Sequence, residues 1–297
     1  MHSDDTATVL HRACAVAGVN SKGAEVIRLA ENAIYRLQGG GVVARIARAG
    51  QSLAAAKEVN VARWLEDSGV SAVRLIRDID QPVHVDGRAV TFWHELPPHQ
   101  HGTTANVAAA LRELHKLPQP ETFQLPELAP FVRIAQRIQS AKTISANDQK
   151  WLLARLGELK EAYDHLPSGL PQCVVHGDAW SGNVVVTAGK TSVLLDLERC
   201  SLGPPEWDLV STAVAYVTTA KIDTSEWTAY CEAYGYDVTT WEGFEILRDI
   251  RELRQTTMAI QVAATDPERY ADQAAHRLAC LRNQRGPRPW AGWWPVP

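Results

Sequence analysis

Apolar and polar positions alternate in two different rhythms along this chain. Over residues 5–17 (DTATVLHRACAVA) apolar side chains recur at helical spacing behind Asp and Thr cap candidates, which predicts a helix. A period of two then takes over. Glu25–Leu29 and Ala33–Leu37 read as strands around a turn at Glu31-Asn32, and Gly39-Gly40-Gly41 turns the chain into a third strand, Val42–Arg48. Residues 52–68 return to helical spacing, with Leu53, Val59, Ala62 and Leu65 as the expected apolar face. Strands follow at Ala72–Ile76 and Ala89–Glu95, then a connector rich in Pro and Gly at 96–102. Beyond it the rhythm is mainly helical, with helices expected at 103–116, 130–141, 147–164, 207–220, 224–234, 241–264 and 267–284. One strand–loop–strand unit interrupts them at 172–198. The pattern predicts an α+β fold. Residues 1–96 form a lobe with a leading helix and a small, mostly antiparallel sheet carrying one helix; residues 97–297 form a larger, mainly α-helical lobe.

Composition narrows the classes of function. With 45% hydrophobic and 22% charged residues, 297 residues can bury a sizeable core. No run approaches the ~18 to 20 apolar residues of a membrane helix, and the N-terminal segment lacks the basic start of a secretory leader, so a cytoplasmic protein is expected. The five cysteines are widely spaced with no CxxC pair, which points to reduced core thiols rather than disulfides or structural zinc. A net charge of −4 without a basic stripe argues against nucleic acid as a partner. Of ten tryptophans, Trp290, Trp293 and Trp294 fall in the last eight residues, so the tail is expected to be packed down.

The chemistry concentrates between residues 174 and 198. A β-type run, Val174-Val175, enters His176-Gly177-Asp178-Ala179-Trp180-Ser181-Gly182-Asn183, and a second β-type run leaves it. Ser192-Val193-Leu194-Leu195-Asp196-Leu197-Glu198 then reads as an apolar strand ending in two acids on one face. Phosphoryl transfer needs such a set: a carboxylate to orient the acceptor hydroxyl and take its proton, and oxygen ligands for Mg²⁺ against a triphosphate. Asp178 and Asn183 have the D-x-x-x-x-N spacing of a kinase catalytic loop. Each residue also has a plain reading: Asp and Asn favour turns, Arg45 could be a solvated edge-strand charge, and Glu58 a helix-surface acid. Gly189-Lys190-Thr191 is not a phosphate-binding P-loop, because position 184 is Val and a strand follows. Gly39–Gly41 likewise precedes a strand, not a helix.

His176-Gly177-Asp178 with Asn183, followed by Leu195-Asp196-Leu197-Glu198 and Gly203-Pro204-Pro205-Glu206-Trp207-Asp208-Leu209, resembles the aminoglycoside phosphotransferase and choline kinase superfamily over roughly residues 18–260. The resemblance implies a protein-kinase-like two-lobe fold. It makes Asp178 the catalytic base, Asn183 and Asp196 the Mg²⁺ ligands, Glu198 a further metal ligand, and His176 and Asp208 structural braces. In the first lobe Arg45 stands where the family usually has a phosphate-pairing Lys, with Glu58 as its partner. The turn 30–33, with Asn32, would cover the phosphates, and the hinge at 93–96, with Glu95 and Leu96, would hold the nucleobase. Trp180, Glu206, Asp237, Trp241 and Glu252 are the acceptor-site candidates, acidic and aromatic groups suited to cationic or sugar acceptors. The expectation is a Mg²⁺-dependent kinase moving the γ-phosphoryl group of ATP or GTP to a hydroxyl of an antibiotic-like or other hydroxylated small molecule, as a monomer or homodimer. The alternatives are a metabolic kinase for choline, an amino alcohol, an amino acid or a sugar; a nucleotide-binding pseudokinase; and a Mg²⁺ phosphohydrolase.

Overall fold

A computed structural model describes residues 3–29 and 32–296. In chain order its elements begin with α1 (Ser3–Ala17), β1 (Glu25–Leu29), β2 (Ala33–Arg36), β3 (Val42–Ile46), α2 (Ser52–Asp67), β4 (Val83–Val85) and β5 (Arg88–His94). They continue with β6 (His99–His101), α3 (Thr104–His115), α4 (Ile134–Ser140), α5 (Ala146–Asp164), β7 (Cys173–Val175), β8 (Val184–Thr187), β9 (Ser192–Leu194) and β10 (Ser201–Gly203). The remaining helices are α6 (Glu206–Val217), α7 (Thr224–Tyr234), α8 (Phe244–Thr265) and α9 (Pro267–Leu281). The chain divides into two compact units: Met1–Pro126 with Ser181–Ser201, and Glu127–Trp180 with Leu202–Pro297. Residues 97–126 and 181–201, expected from the pattern to lie in the second lobe, thus cluster with the first unit. No helix among the described residues is long and apolar enough to cross a membrane.

The first unit is built on a five-stranded sheet in the order β1-β2-β3-β5-β4. Its pairs are antiparallel, and Arg45 lies opposite Ile34 on one side and Thr91 on the other. Helix α1 closes one side of the core, where Val9, Leu10, Ala13 and Cys14 meet Tyr35, Ala44, Ile46, Val90 and Phe92. Helix α2 departs from the expected face. Leu53 is 88% exposed, and the buried stripe is Ala55, Glu58, Val59, Ala62 and Leu65. An acid therefore sits inside an apolar stripe at i, i+3, i+4 spacing, a placement that requires a partner.

One strand expectation is corrected. Residues 72–76 are not a strand; Ala72 and Leu75 make single bridges, to Leu194 and to Trp93. The segment satisfies its backbone piecemeal, through Val73 N–H to Leu194 O, Ile76 N–H to Phe92 O and Arg74 O from His94 N–H. The partner that β5 takes along its edge is instead β4, a three-residue strand too short to show an alternation. A second sheet, β6-β8-β9, recruits His99–His101 from the Pro/Gly connector.

The second unit packs α8 against α6 and α9, with Trp207, Leu247, Ile250, Leu253 and Ile260 in its interior. Its β7 and β10 form a two-stranded ladder. The C-terminal tail is packed down. Trp290 N–H donates to Thr218 O at 2.6 Å, and the stacked rings of Trp290 and Trp293 lie 5.7 Å apart in a cluster with Cys280.

Candidate active site

Within the second unit, the buried run Cys173–Val175 delivers the chain into the loop His176–Trp180. Gly177 adopts φ 82°, a left-handed turn that a side chain would strain. Asp208, fully buried in the first turn of α6, accepts the backbone N–H of His176 at 2.6 Å and of Gly177 at 2.9 Å. The neighbouring Trp207 donates its indole N–H to Gly177 O at 3.1 Å. Arg251 in turn lies 3.9 Å from the Trp207 ring centre and donates to the Trp207 carbonyl at 2.8 Å. His176 is completely buried, and its Nδ1 accepts the Asp178 N–H at 3.3 Å. The sharp turn that carries Asp178 is thereby held from both sides, while the Asp178 carboxylate is only partly covered.

Within the first unit, β8 and β9 form a tight hairpin, and Leu195 N–H donates to Asn183 O at 2.9 Å just past the last strand pair. This register brings Leu195 opposite Asn183, so Asp196 follows one residue beyond that pair. The two acids 196 and 198 are not on a strand face, which corrects the expected geometry. β9 ends at Leu194, Asp196 has φ 56°, and Leu197–Arg199 makes a 3-10 turn. The turn achieves what alternation was expected to do, since both carboxylates face one guanidinium. Arg45 Nη2 lies 2.9 Å from Glu198 Oε2 and 3.6 Å from Asp196 Oδ1, while Nη1 pairs with Glu58. With its amide oxygen turned inward, Asn32 accepts from the same guanidinium at 2.7 and 3.1 Å.

Charge in this cluster is unbalanced toward acid. Burial pushes the Glu58 carboxyl up to about 7 against the pull of Arg45, and the charges of Asp196 and Glu198 add to the rise. Burial works against the Arg45 charge, yet Glu58, Asp196 and Glu198 together hold its pKa above the ordinary arginine value. Lys57, which no sequence motif marks, donates to Cys200 O at 3.0 Å, and burial lowers its pKa. Its signal was only its place beside Glu58 on α2.

At the hinge, Glu95 N–H is taken by Gly41 O at 2.7 Å and its carboxylate by Arg36 at 2.6 Å. Leu96 is half-buried beside it. Of the expected phosphate-covering turn, Ala30 and Glu31 lie outside the described residues.

The acceptor candidates separate sharply. Glu252 is corrected: it has no exposed surface and accepts from Thr218 Oγ1 at 2.7 Å and from Arg288 at 2.6 and 2.7 Å, so it ties the C-terminal tail to α8. Glu206 is also fully buried, with Oε1 accepting Leu170 N–H at 2.6 Å. Asp237 caps a short turn through Thr239 N–H at 2.9 Å, and Trp241 donates to Ser168 O at 3.0 Å. All three are engaged in holding their own segments. Trp180 alone of the five stands open, at 54% exposure, two residues after Asp178.

Comparison with known proteins decides the family. A sequence-family profile described as the phosphotransferase enzyme family (APH) matches residues 24–247, three quarters of the chain. The chain belongs to this phosphotransferase family. It is an enzyme of the kind that uses an alcohol group as acceptor. A comparison with curated proteins found no significant match. Among solved structures, the phosphotransferase is similar in fold to a choline/ethanolamine kinase family protein from Mesorhizobium loti, at 22% identity, TM-score 0.61 and 95% coverage of each chain. It is also similar to the amicoumacin kinase hAmiN in complex with AMP-PNP, Ca²⁺ and Ami, at 15% identity, TM-score 0.72 and 99% coverage of each chain. A third is a microcompartment-associated aminopropanol kinase, at 17% identity and TM-score 0.69, covering 93% of this chain and 96% of that one. The protein-kinase-like fold expected from residues 174–209 is therefore the fold this phosphotransferase has.

Proposed function

We propose that this phosphotransferase is a Mg²⁺-dependent kinase that moves the γ-phosphoryl group of ATP or GTP to a hydroxyl of an antibiotic-like or other hydroxylated small molecule. The observation that carries the reading is Asp196. Its Oδ1 is buried and makes no hydrogen bond; at 3.6 Å it meets the Arg45 guanidinium, which it shares with Glu198. A buried carboxylate oxygen with no hydrogen bond and only a long ion pair is under-satisfied and has room for a partner of another kind. The donor set, two carboxylates and an amide, is hard oxygen and suits Mg²⁺. Among the described residues no three His, Cys, Asp or Glu side chains are arranged to hold a metal alone. A Mg²⁺ ion completed by water and phosphate needs only one or two carboxylates.

Asp196 and Asn183 would hold the ion, with Glu198 as a further ligand. When bound, the metal neutralises charge on the triphosphate. The rest is the work of this chain's own groups. Asp178, presented by the braced loop, orients the acceptor hydroxyl and takes its proton at the carboxylate. Arg45, anchored by Glu58, supplies positive charge to the phosphates, with Asn32 beside it. Glu95 and Leu96 hold the nucleobase through the hinge backbone. Trp180 offers an apolar face to the acceptor.

A metabolic kinase is the second reading. Choline/ethanolamine and aminopropanol kinases stand among the fold relatives beside the amicoumacin kinase, so amino alcohols belong in the same assay. Nucleotide consumption with Mg²⁺ is measured with ATP and GTP against aminoglycosides, other hydroxylated antibiotics, choline, amino alcohols and sugars. One class should stimulate turnover in the wild type and fail to do so in Asp178→Ala, which keeps its nucleotide binding. Asp196→Ala should lose Mg²⁺-dependent nucleotide binding. Full transfer in Asp178→Ala would remove the base from this residue, and unchanged nucleotide affinity in Asp196→Ala would move the metal elsewhere.

A further inference from the structure

The Arg45 guanidinium divides its two terminal nitrogens between two jobs. Nη1 pairs with Glu58, which is 5% exposed on the buried stripe of α2. That pair alone answers the need of a buried acid for a counter-charge. Nη2 faces outward to Glu198 Oε2 at 2.9 Å and Asp196 Oδ1 at 3.6 Å, on side chains that remain 32% and 41% exposed. The turn that carries these acids does not depend on the guanidinium. Leu195 N–H to Asn183 O at 2.9 Å and Cys200 N–H to Leu197 O at 3.1 Å hold it through the backbone. Beside its bond to Asn32 at 2.7 Å, Nη2 therefore serves as a cation for two carboxylate oxygens whose positions are set by other means.

Those oxygens belong to the same two carboxylates that the metal reading assigns to Mg²⁺, and the inference rests on that reading. A Mg²⁺ ion sits about 2.0 to 2.1 Å from its oxygen ligands. Two cations cannot both lie against one pair of oxygens in a partly buried site without strong repulsion. We propose that Arg45 Nη2 is a resident counter-cation for Asp196 and Glu198, and that a divalent ion must displace it to enter. Glu58 on Nη1 and Asn32 on Nε keep the fork in place, so displacement moves Nη2 off the two acids without releasing the side chain. Arginine is required for this arrangement. A lysine carries one ammonium on a single stem, so it cannot give Glu58 and the outer acids a separate nitrogen each in a fixed fork. Arg45 is in this respect a positioning residue: it sets the charge state in which the metal site waits.

The test is metal binding without nucleotide, read on the full chain by the electron paramagnetic signal of free Mn²⁺. Arg45→Lys, with folding checked by circular dichroism, should bind Mn²⁺ about tenfold more tightly than wild type, because the shorter ammonium stays with Glu58. Mn²⁺ affinity equal to or weaker than wild type in that variant, with binding still abolished by Asp196→Ala, overturns the proposal and leaves the metal site standing. Mn²⁺ binding that survives Asp196→Ala overturns the metal site and the proposal together. A second measurement needs no altered affinity. The ¹⁵N guanidinium resonances of Arg45, assigned by their loss in Arg45→Lys, should shift on addition of Mg²⁺ to the wild type. Resonances that stay in place at saturating Mg²⁺ contradict displacement.

Discussion

Replacing Asp208 by Asn changes one atom and tests how the candidate catalytic loop, His176–Trp180, is held. The wild-type carboxylate is fully buried and accepts two backbone N–H groups, from His176 at 2.6 Å and Gly177 at 2.9 Å. Hydrogen bonds to a charged group contribute about 1.5 to 3 kcal/mol each, and a buried donor left without an acceptor costs about 1 to 3 kcal/mol. In Asp208→Asn one oxygen remains as an uncharged acceptor, while the amide NH₂ opposes the second N–H. The two effects together come to roughly 3 kcal/mol, a large share of the 5 to 15 kcal/mol that separates a typical folded protein from its unfolded chain. Urea denaturation should show this loss with an unchanged dependence on denaturant, and melting should fall by roughly 6 to 12 °C. Amide exchange at His176 and Gly177 should accelerate. If the loop relaxes, transfer should also fall at temperatures where the variant is fully folded, because Asp178 directly follows the two anchored residues. Asn is nearly isosteric with Asp, so packing alone predicts no change. Stability within about 0.5 kcal/mol of wild type, the range of an unconstrained surface substitution, would refute the bracing role.

Two further outcomes follow from the same structure. Glu252→Ala removes the acceptor for Thr218 and Arg288. Breaking such a buried pair costs about 3 to 5 kcal/mol, so limited trypsinolysis should cut the tail after Arg282 or Arg285 in the variant and spare it in wild type, with the KM for the acceptor unchanged. Burial raises the thiols of Cys14 to about 11 and of Cys173 and Cys231 to about 12. Native protein at pH 8 should therefore react slowly with a thiol reagent at these sites and release all five thiols only when denatured. Because the shift is upward on folding, the stability tied to these thiols is present below 9.0 and is lost as pH rises through 11 to 12.

What this sequence determines by itself is local. Periodicity places α1, α2, β1 to β3 and the long helices to within a few residues, because each element's burial face repeats along its own chain. The spacing of His176, Asp178 and Asn183, with Asp196 beyond, points to phosphoryl-transfer chemistry because the candidate loop and its hairpin are contiguous in sequence. What only the tertiary structure decides involves residues far apart or elements too short to carry a period. Arg45 and Glu198 are separated by 153 positions, and nothing near either says that one nitrogen would face two acids. The 3-10 turn at Leu197–Arg199, the three-residue β4 and the bridges at Ala72 and Leu75 are all shorter than any alternation can reveal. Leu53, open at 88%, and Glu252, wholly enclosed, invert the ordinary rule of apolar inside and charged outside. For both, packing partners outside their own helix set the outcome: burial is a property of the assembled fold, and a helix reads its own pattern without knowing which neighbour will cover it.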